Sequence, residues 1–322
     1  MFINLKKKRN STTLNTKLFS LLINLLSSLY FFATKISKLL NLNKKDRYYR
    51  SILINKTLSL LQKILLSINY NVPLTIYKKK VIVDLDGVLL IPGKINRYYK
   101  LPHNKKYNNE AKYLEELLDF CDARNIIDIG ACIGEYAIYF AKNFPKSKVI
   151  SVEVEQSNLK LLEENIRLNK CDNSIKVIKN AVSDFAGQNF SIIGNTQESE
   201  VVVSNTYSEL KTITLSSLIN SEKFDKIDFL KVDIEGSNYK VSQCIINNLS
   251  KINAFLYAFE KGPPEIFLSF IDSIKYFYNF FIFEENGFKS IALDDLIKKT
   301  KKVGPTPILG ISFEVLFIKK LK

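Results

Sequence analysis

From Asn125 the chain reads NIIDIGACIGEYAIYFAKNF, and this stretch limits the possible folds more than any other. Ile126–Ile129 is a short apolar run around one aspartate, the pattern of a parallel strand buried on both faces. Glu135–Asn143 carries its apolar residues at helical spacing. Between them sits Asp128-Ile-Gly130-Ala-Cys-Ile-Gly134. Glycines at such a junction let backbone approach a ligand closely and open a helix whose N–H groups face the same space. A glycine loop alone is shared by dinucleotide binders and ordinary tight turns, so the surrounding pattern has to decide.

That pattern repeats. Lys148–Val152 reads as a second strand and ends at Glu153, about 20 residues past the glycines, where a carboxylate can accept hydrogen bonds from both hydroxyls of a ribose. Ser157 is placed to cap a helix through Leu168. Ile175–Asn180, Ile227–Val232 and Ala254–Phe259 supply third, fourth and fifth strands. Repeated βα units imply a doubly wound α/β sheet with its ligand at the carboxyl ends of the strands. A helix over Glu110–Cys121, with Leu114, Leu117, Leu118 and Cys121 on one face, leads into this domain, assigned to 110–322. After Glu260, Gly262-Pro263-Pro264 and an aromatic-rich helix near Phe267–Phe283 are expected to shape an acceptor pocket. Asp294 and Asp295 read as the start of a helix Leu296–Lys301.

The segments DIGACIGEY, SVEV, LLEENIRLN, KNAVSDFAG, ITLSSLI and FLKVDIEG, in that order, resemble the FkbM-type S-adenosylmethionine-dependent methyltransferases. The likeness covers roughly Tyr107 to Lys261 and implies a Rossmann-like methyltransferase sheet with S-adenosyl-L-methionine as cofactor. By that resemblance Asp128, Gly130 and Gly134 surround the methionine and sugar of the cofactor, Glu153 holds the ribose, and Ala181 to Asp184 border the adenine. The segment Lys231-Val-Asp233-Ile-Glu235-Gly236 resembles the family's hallmark. Val154, Ser216 and Asn238 depart from it, standing where proline, aspartate and glutamate are common; the last puts an acceptor-side carboxylate in doubt.

Methyl transfer from a sulfonium is an in-line displacement, and a hydroxyl acceptor must lose its proton. Asp233 and Glu235 are the catalytic candidates, as general base or as ligands of a divalent ion. Two residues apart, they share a face if the strand persists to Glu235. The alternative has Asp233 fixing a loop and Glu235 capping a helix. His103, the only histidine, lies in a polar connector outside the matching segments. The resemblance, together with the basic N-terminal third, implies O-methylation of a hydroxyl on a glycan or lipid-linked saccharide.

The formal charge is +15, carried by 41 Lys and 6 Arg against 32 acidic residues. Phosphate recognition by bidentate forks favours Arg, so no specific nucleic acid is expected as a partner. An AT-rich genome explains abundant lysine but not its distribution. Residues 1–110 carry 21 basic and 4 acidic residues, a net of +17, and residues 111–322 carry 26 and 28, a net of −2. Residues 1–72 read as a basic helical extension. Leu18–Ala33 is 16 residues long, short of the ~20 that usually span a bilayer. Ser20, Asn24, Ser27 and Ser28 give it a polar stripe, which suits a helix lying on a membrane or docked on protein. A second helix is expected over Lys56–Ile68. The localisation expected is cytoplasmic, peripheral to an anionic membrane through residues 1–60. Four scattered cysteines without a C-x-x-C pair suggest neither a zinc site nor a disulfide framework.

Residues 73–109 form a hairpin and connector. VIVDLDGVLL at Val81–Leu90 resembles the nucleophile motif of haloacid-dehalogenase-type phosphatases through Asp84 and Asp86, yet Asp-Gly between apolar runs is also the strongest local hairpin signal. Only some 40 residues separate Asp84 from the Ile126 strand, and no Gly-Asp dipeptide supplies a magnesium-binding partner. The hairpin is therefore expected, Val81–Leu85 against Val88–Pro92. A phosphatase would release phosphate in a magnesium-dependent way abolished by Asp84→Asn. A catalytically idle membrane-peripheral module would bind anionic vesicles without transferring methyl groups.

Overall fold

In a computed structural model of the chain, the described residues are 3–4, 74–77, 80–85, 87–91, 113–114, 124–193, 200–203, 211–284, 287–303 and 313–320. Leu18–Ala33, Lys56–Ile68, His103, Asp86 and all of Glu110–Cys121 except Tyr113 and Leu114 lie outside them. The chain divides into two compact units, Met1–Lys105 and Lys106–Lys322.

The first unit contains an antiparallel sheet of β1 (Ile3–Asn4), β2 (Leu74–Tyr77), β3 (Lys80–Leu85) and β4 (Val88–Leu90), in that order. Leu85 pairs with Val88 and Asp84 with Leu89. Gly87 has φ +94°, the left-handed conformation that a tight two-residue turn demands. VIVDLDGVLL is thus a hairpin, and Asp84 sits within its paired strand. The second strand ends at Leu90, before Pro92, which has no N–H to donate to a ladder. β2 was not anticipated from the sequence.

The second unit holds an eight-stranded sheet. Its strands are β5 (Asn125–Ile129), β6 (Lys148–Val152), β7 (Ile175–Ile178), β10 (Ile227–Val232), β11 (Ile252–Phe259), β12 (Tyr278–Glu284), β13 (Gly287–Ser290) and β14 (Phe313–Lys319). A separate hairpin, also unanticipated, pairs β8 (Phe190–Ile193) with β9 (Glu200–Val203). The large sheet runs β13-β12-β14-β11-β10-β5-β6-β7, parallel from β11 to β7 and antiparallel at the β14, β12 and β13 edge. The chain leaves β5 toward β6 and β7, then returns to place β10 on the other side of β5. Strand order therefore reverses between β5 and β10, where an open α/β sheet forms its ligand crevice.

Helix α1 (Glu135–Asn143) follows β5 and α2 (Gln156–Leu168) follows β6. Glu155 caps α2, its carboxylate accepting from Asn158 N at 2.7 Å. Ser157, the expected cap, instead lies one residue inside the helix and donates its hydroxyl to Glu155. The carboxylate outcompetes a hydroxyl for amides at the positive end of a helix. Thr214 caps α3 (Leu215–Ser221), and a 3₁₀ turn at Asn238–Val241 leads into α4 (Ser242–Ile246). Pro263 and Pro264 open α5 (Pro264–Ile274), prolines suiting a first turn whose N–H groups lack intrahelical partners.

The expected aromatic helix near Phe267–Phe283 divides. Its second half is β12, which pairs with β14 from Tyr278↔Lys319 to Ile282↔Val315. Phe255 and Phe317 are direct partners across β11 and β14 and stack at 4.3 Å; Phe259 and Phe313 pair likewise at 5.2 Å. This aromatic ladder gives the third antiparallel strand an apolar surface to join. Asp294 and Asp295 stand in the first turn of α6 (Leu293–Thr300), as the sequence suggested.

Leu230, Val232, Phe255 and Tyr257 pack with buried residues of α3, α4 and α5 in one core. The alternate residues of β10 face α1: the Phe229 and Phe140 rings lie 5.2 Å apart, and Lys231 Nζ stands 4.7 Å over the Tyr136 ring.

Candidate active site at the strand-order reversal

The β5–α1 turn is bent by three left-handed residues, Gly130 (φ +84°), Cys132 (φ +51°) and Gly134 (φ +91°). Gly130 makes its close approach to protein. A Cβ built there would overlap the Asp233 carbonyl oxygen and lie 2.8 Å from its carbon and 2.9 Å from Ile234 Cγ2. The glycine thus seats the turn against the end of β10. Gly130 N and Ala131 N both donate to Val152 O, at 2.9 and 3.0 Å, binding the same turn to β6.

Glu153 completes that attachment. Its Oε2 accepts from Cys132 N at 2.8 Å, and its Oε1 from Val154 N at 2.7 Å and Glu155 N at 2.8 Å. Burial pushes its carboxyl up while the three amides oppose that shift. A carboxylate has about four acceptor positions, so one remains beyond these three bonds.

Asp128 is 1% exposed, and neither oxygen has a hydrogen bond of ordinary geometry. Burial raises its carboxyl to about 6; Lys231 pulls it down, Asp233 pushes it up and the Ala137 amide pulls it down. Lys231 is Asp128's register partner on β10, with Nζ 3.9 Å from Asp128 Oδ1 and 3.1 Å from Asp233 Oδ2.

Strand β10 ends at Val232, so alternation does not carry Glu235 onto the face of Asp233. Glu235 takes φ +49° and Gly236 φ +89°, turning the chain sharply. Glu235 lies 3.7 Å from Lys261 Nζ. Asn238, fully buried, is a staple: its Oδ1 accepts from Ile234 N at 2.8 Å, and its Nδ2 donates to Ala258 O at 3.0 Å. The departure from glutamate at 238 thus places an amide between β10 and β11.

Sequence reasoning missed Glu260. It follows β11 directly, and its Oε1 accepts from Gly236 N at 2.6 Å. Being the first acidic residue past an apolar parallel strand was the available signal. Burial, then Asp233 and Glu235, push its carboxyl up to about 7. The folded chain holds this proton more tightly than the unfolded one. The group's favourable contribution is therefore full below its usual 4.5 and declines as pH rises toward 7. Replacing Glu260 by Gln should remove that decline. Between pH 4.5 and 7.5 the variant should gain up to about 3 kcal/mol on the wild type, read from paired denaturation curves. A stability difference that does not vary with pH would contradict the shift.

The adenine-side candidates are held by neighbouring backbone. Ala181 O accepts from Ile213 N at 2.8 Å, and Asp184 Oδ1 accepts from Cys244 N at 2.6 Å, in the first turns of α4. Asp184 also lines a cleft of about 250 Å³ with Gln243, Glu265, Ile266 and Phe270. That cleft includes none of Asp128, Gly130, Glu153 or Asp233. The structure therefore brings Asp128, Gly130, Asp233 and Lys231 together, joins Gly130's turn to Glu153, and places Glu235 beside Glu260 and Lys261. Among the described residues no group of three or more His, Cys, Asp or Glu side chains could hold a metal ion. Among them, too, no helix is long and apolar enough to cross a membrane.

A mostly parallel sheet with a glycine turn and an acidic strand end at its reversal defines the Rossmann-like class, which dinucleotide binders and S-adenosylmethionine-dependent methyltransferases share. The family model described as the methyltransferase FkbM domain matches residues 128–289. The chain belongs to this family, and S-adenosylmethionine is its methyl donor. The residues present suit that group: a buried carboxylate without ordinary hydrogen bonds in Asp128, and an acceptor position left on Glu153.

Solved structures that match the chain include an O-methyltransferase from Bacillus cereus in complex with SAH, at 15% identity, covering 65% of this chain and 80% of that one, with a TM-score of 0.38. An rRNA methylase from Streptococcus thermophilus matches at 11% identity over 66% and 94% of the two chains, with a TM-score of 0.40. The O-methyltransferase TomG from Streptomyces achromogenes, in complex with SAM, matches at 12% identity over 65% and 79%, with a TM-score of 0.37. No curated protein matches the chain.

Proposed function

We propose that this methyltransferase acts on a hydroxyl group, most plainly that of a glycan or lipid-linked saccharide. The observation that carries the reading is the set of carboxylates at the carboxyl ends of β10 and β11, Asp233, Glu235 and Glu260, with Glu260 pushed up to about 7. A hydroxyl is a weak nucleophile at neutral pH, and a carboxylate that holds a proton near neutrality suits the task of receiving one. Bound, S-adenosylmethionine supplies an electrophilic methyl group on a sulfonium. In this reading Glu153 takes a ribose hydroxyl on its remaining acceptor position, and Gly130 and Gly134 shape the turn beneath the methionine and sugar. Ala181 and Asp184 border the adenine. Asp233 and Glu235 orient the acceptor, and its proton passes to a carboxylate of this group.

The basic stretch 1–60 supports placing the acceptor at an anionic membrane surface, through the charge asymmetry of the sequence. The test is to incubate the protein with methyl-labelled donor and a panel of free sugars, lipid-linked saccharides and amines. Label recovered as alkali-stable methyl ether on a saccharide is the expected result; label on amines alone would overturn the hydroxyl reading. Vesicles rich in phosphatidylserine should sediment the full chain and lose it at high salt; equal recovery with neutral vesicles would contradict the membrane assignment.

A further inference from the structure

Lys231 stands in the middle of the sheet, 3% exposed, in a strand whose six residues are all buried. Burial alone would lower its ammonium pKa, but Asp233, Asp128 and Glu314 hold it well above the ordinary range. Carboxylates on β5, just past β10 and on β14 thus act on one cation, and the Tyr136 ring of α1 covers it. A buried ionic set of this kind is weak evidence for stability, since apolar residues of similar volume often serve as well or better. Its location is the informative part, because the two carboxylates nearest Lys231, Asp128 near the end of β5 and Asp233 just past β10, flank the place where strand order reverses.

We propose that Lys231 is a positioning residue of the methyl-donor site: its buried ammonium ties the Asp128 carboxylate to the Asp233 carboxylate, so that the glycine turn and the end of β10 meet the donor as one unit. This rests on the reading of Asp128 as part of the donor site. The backbone supports it independently. Asp233 N donates to Ile129 O at 3.1 Å, and the Asp233 carbonyl fills the space that a side chain at 130 would need. Lys231 links through side chains the same two segments that Gly130 links through main chain.

The charged and titratable groups acting at this point are Asp128 on β5, Lys231 and Asp233 on and just after β10, Glu314 on β14 and, through Asp233, Glu260 after β11, while the Tyr136 ring of α1 covers the ammonium. Asp128, held at about 6, feels Lys231 and Asp233 directly. Removing Lys231 removes the influence that most opposes its upward shift, and removing Asp233 removes one that adds to it.

The experiment is calorimetric titration of the full chain with S-adenosylhomocysteine from pH 5 to pH 9, for the wild type, Lys231→Met, Lys231→Arg and Asp233→Asn. Wild-type affinity should weaken below about pH 6, as Asp128 takes up its proton. In Lys231→Met the acid midpoint should rise by about 1–3 units, which at pH 7 weakens binding by about 2- to 100-fold. Lys231→Arg should stay near the wild-type midpoint, and Asp233→Asn should move below it. A folded Lys231→Met variant weakened by the same factor at every pH, or unchanged, would overturn the proposal, because a structural role alone does not move the midpoint. Should Lys231→Met fail to fold, Asp233→Asn decides, and an unmoved midpoint there rejects the coupling. Absence of wild-type binding at every pH would instead contradict the donor-site reading.

Discussion

Gly130→Ala should abolish S-adenosylhomocysteine binding and lower stability by about 2–5 kcal/mol. Two separate costs add. The residue has φ +84°, where an L side chain is strained by about 1–2 kcal/mol. The new Cβ would also overlap the Asp233 carbonyl, and backbone cannot swing aside as a flexible side chain does. Relief requires the β5–α1 turn to lift from β10, which also pulls at its bonds to Val152 O on β6. Gly187→Ala isolates the first cost, since Gly187 has φ +80° and nothing within 4 Å of an added Cβ. It should lose only about 1–2 kcal/mol and keep full affinity. Equal losses in the two variants would show that the contact with Asp233 is unimportant.

Glu153→Ala should weaken S-adenosylhomocysteine binding by about 10- to 100-fold and cost about 2–4 kcal/mol of stability. Three amides lose their acceptor together: Cys132 in the glycine turn, and Val154 and Glu155 at the start of the next loop. A ligand hydroxyl using the remaining acceptor position loses its partner as well. Glu155→Ala makes the matching control, because it removes only the cap of α2 and should cost about 1 kcal/mol without loss of affinity. Calorimetry beside thermal denaturation reads both variants. A Glu153→Ala protein with wild-type affinity would remove Glu153 from the site.

What the sequence made legible follows from how local each determinant is. Lys148–Val152, Ile227–Val232 and Glu135–Asn143 were bounded as the structure has them, since burial on both strand faces and helical periodicity leave traces in consecutive residues. The aromatic run after Phe267 could not be divided in that way. Phe, Tyr and Ile at short spacing satisfy a buried strand and a helix equally, and pairing with β14, nearly forty residues later, makes Tyr278–Glu284 extended. The same limit applies to the site. The place of Glu153 beside the glycine turn was legible because its spacing from the glycines is set by one βα unit. The roles of Lys231 and Glu260 arise from neighbours across strands, Asp128 lying more than a hundred residues before Lys231 and Gly236 more than twenty before Glu260. Asn238, read as a missing carboxylate, is a buried staple because its amide reaches the Ala258 carbonyl of the next strand.

The most direct measurement is calorimetric titration of the full wild-type chain with S-adenosylhomocysteine, alongside a Gly130→Arg/Glu153→Ala double variant. Binding on the order of micromolar is expected in the wild type, and its loss in the double variant. A folded wild type that releases no heat and shows no thermal shift would contradict the methyl-donor site at the reversal between β5 and β10.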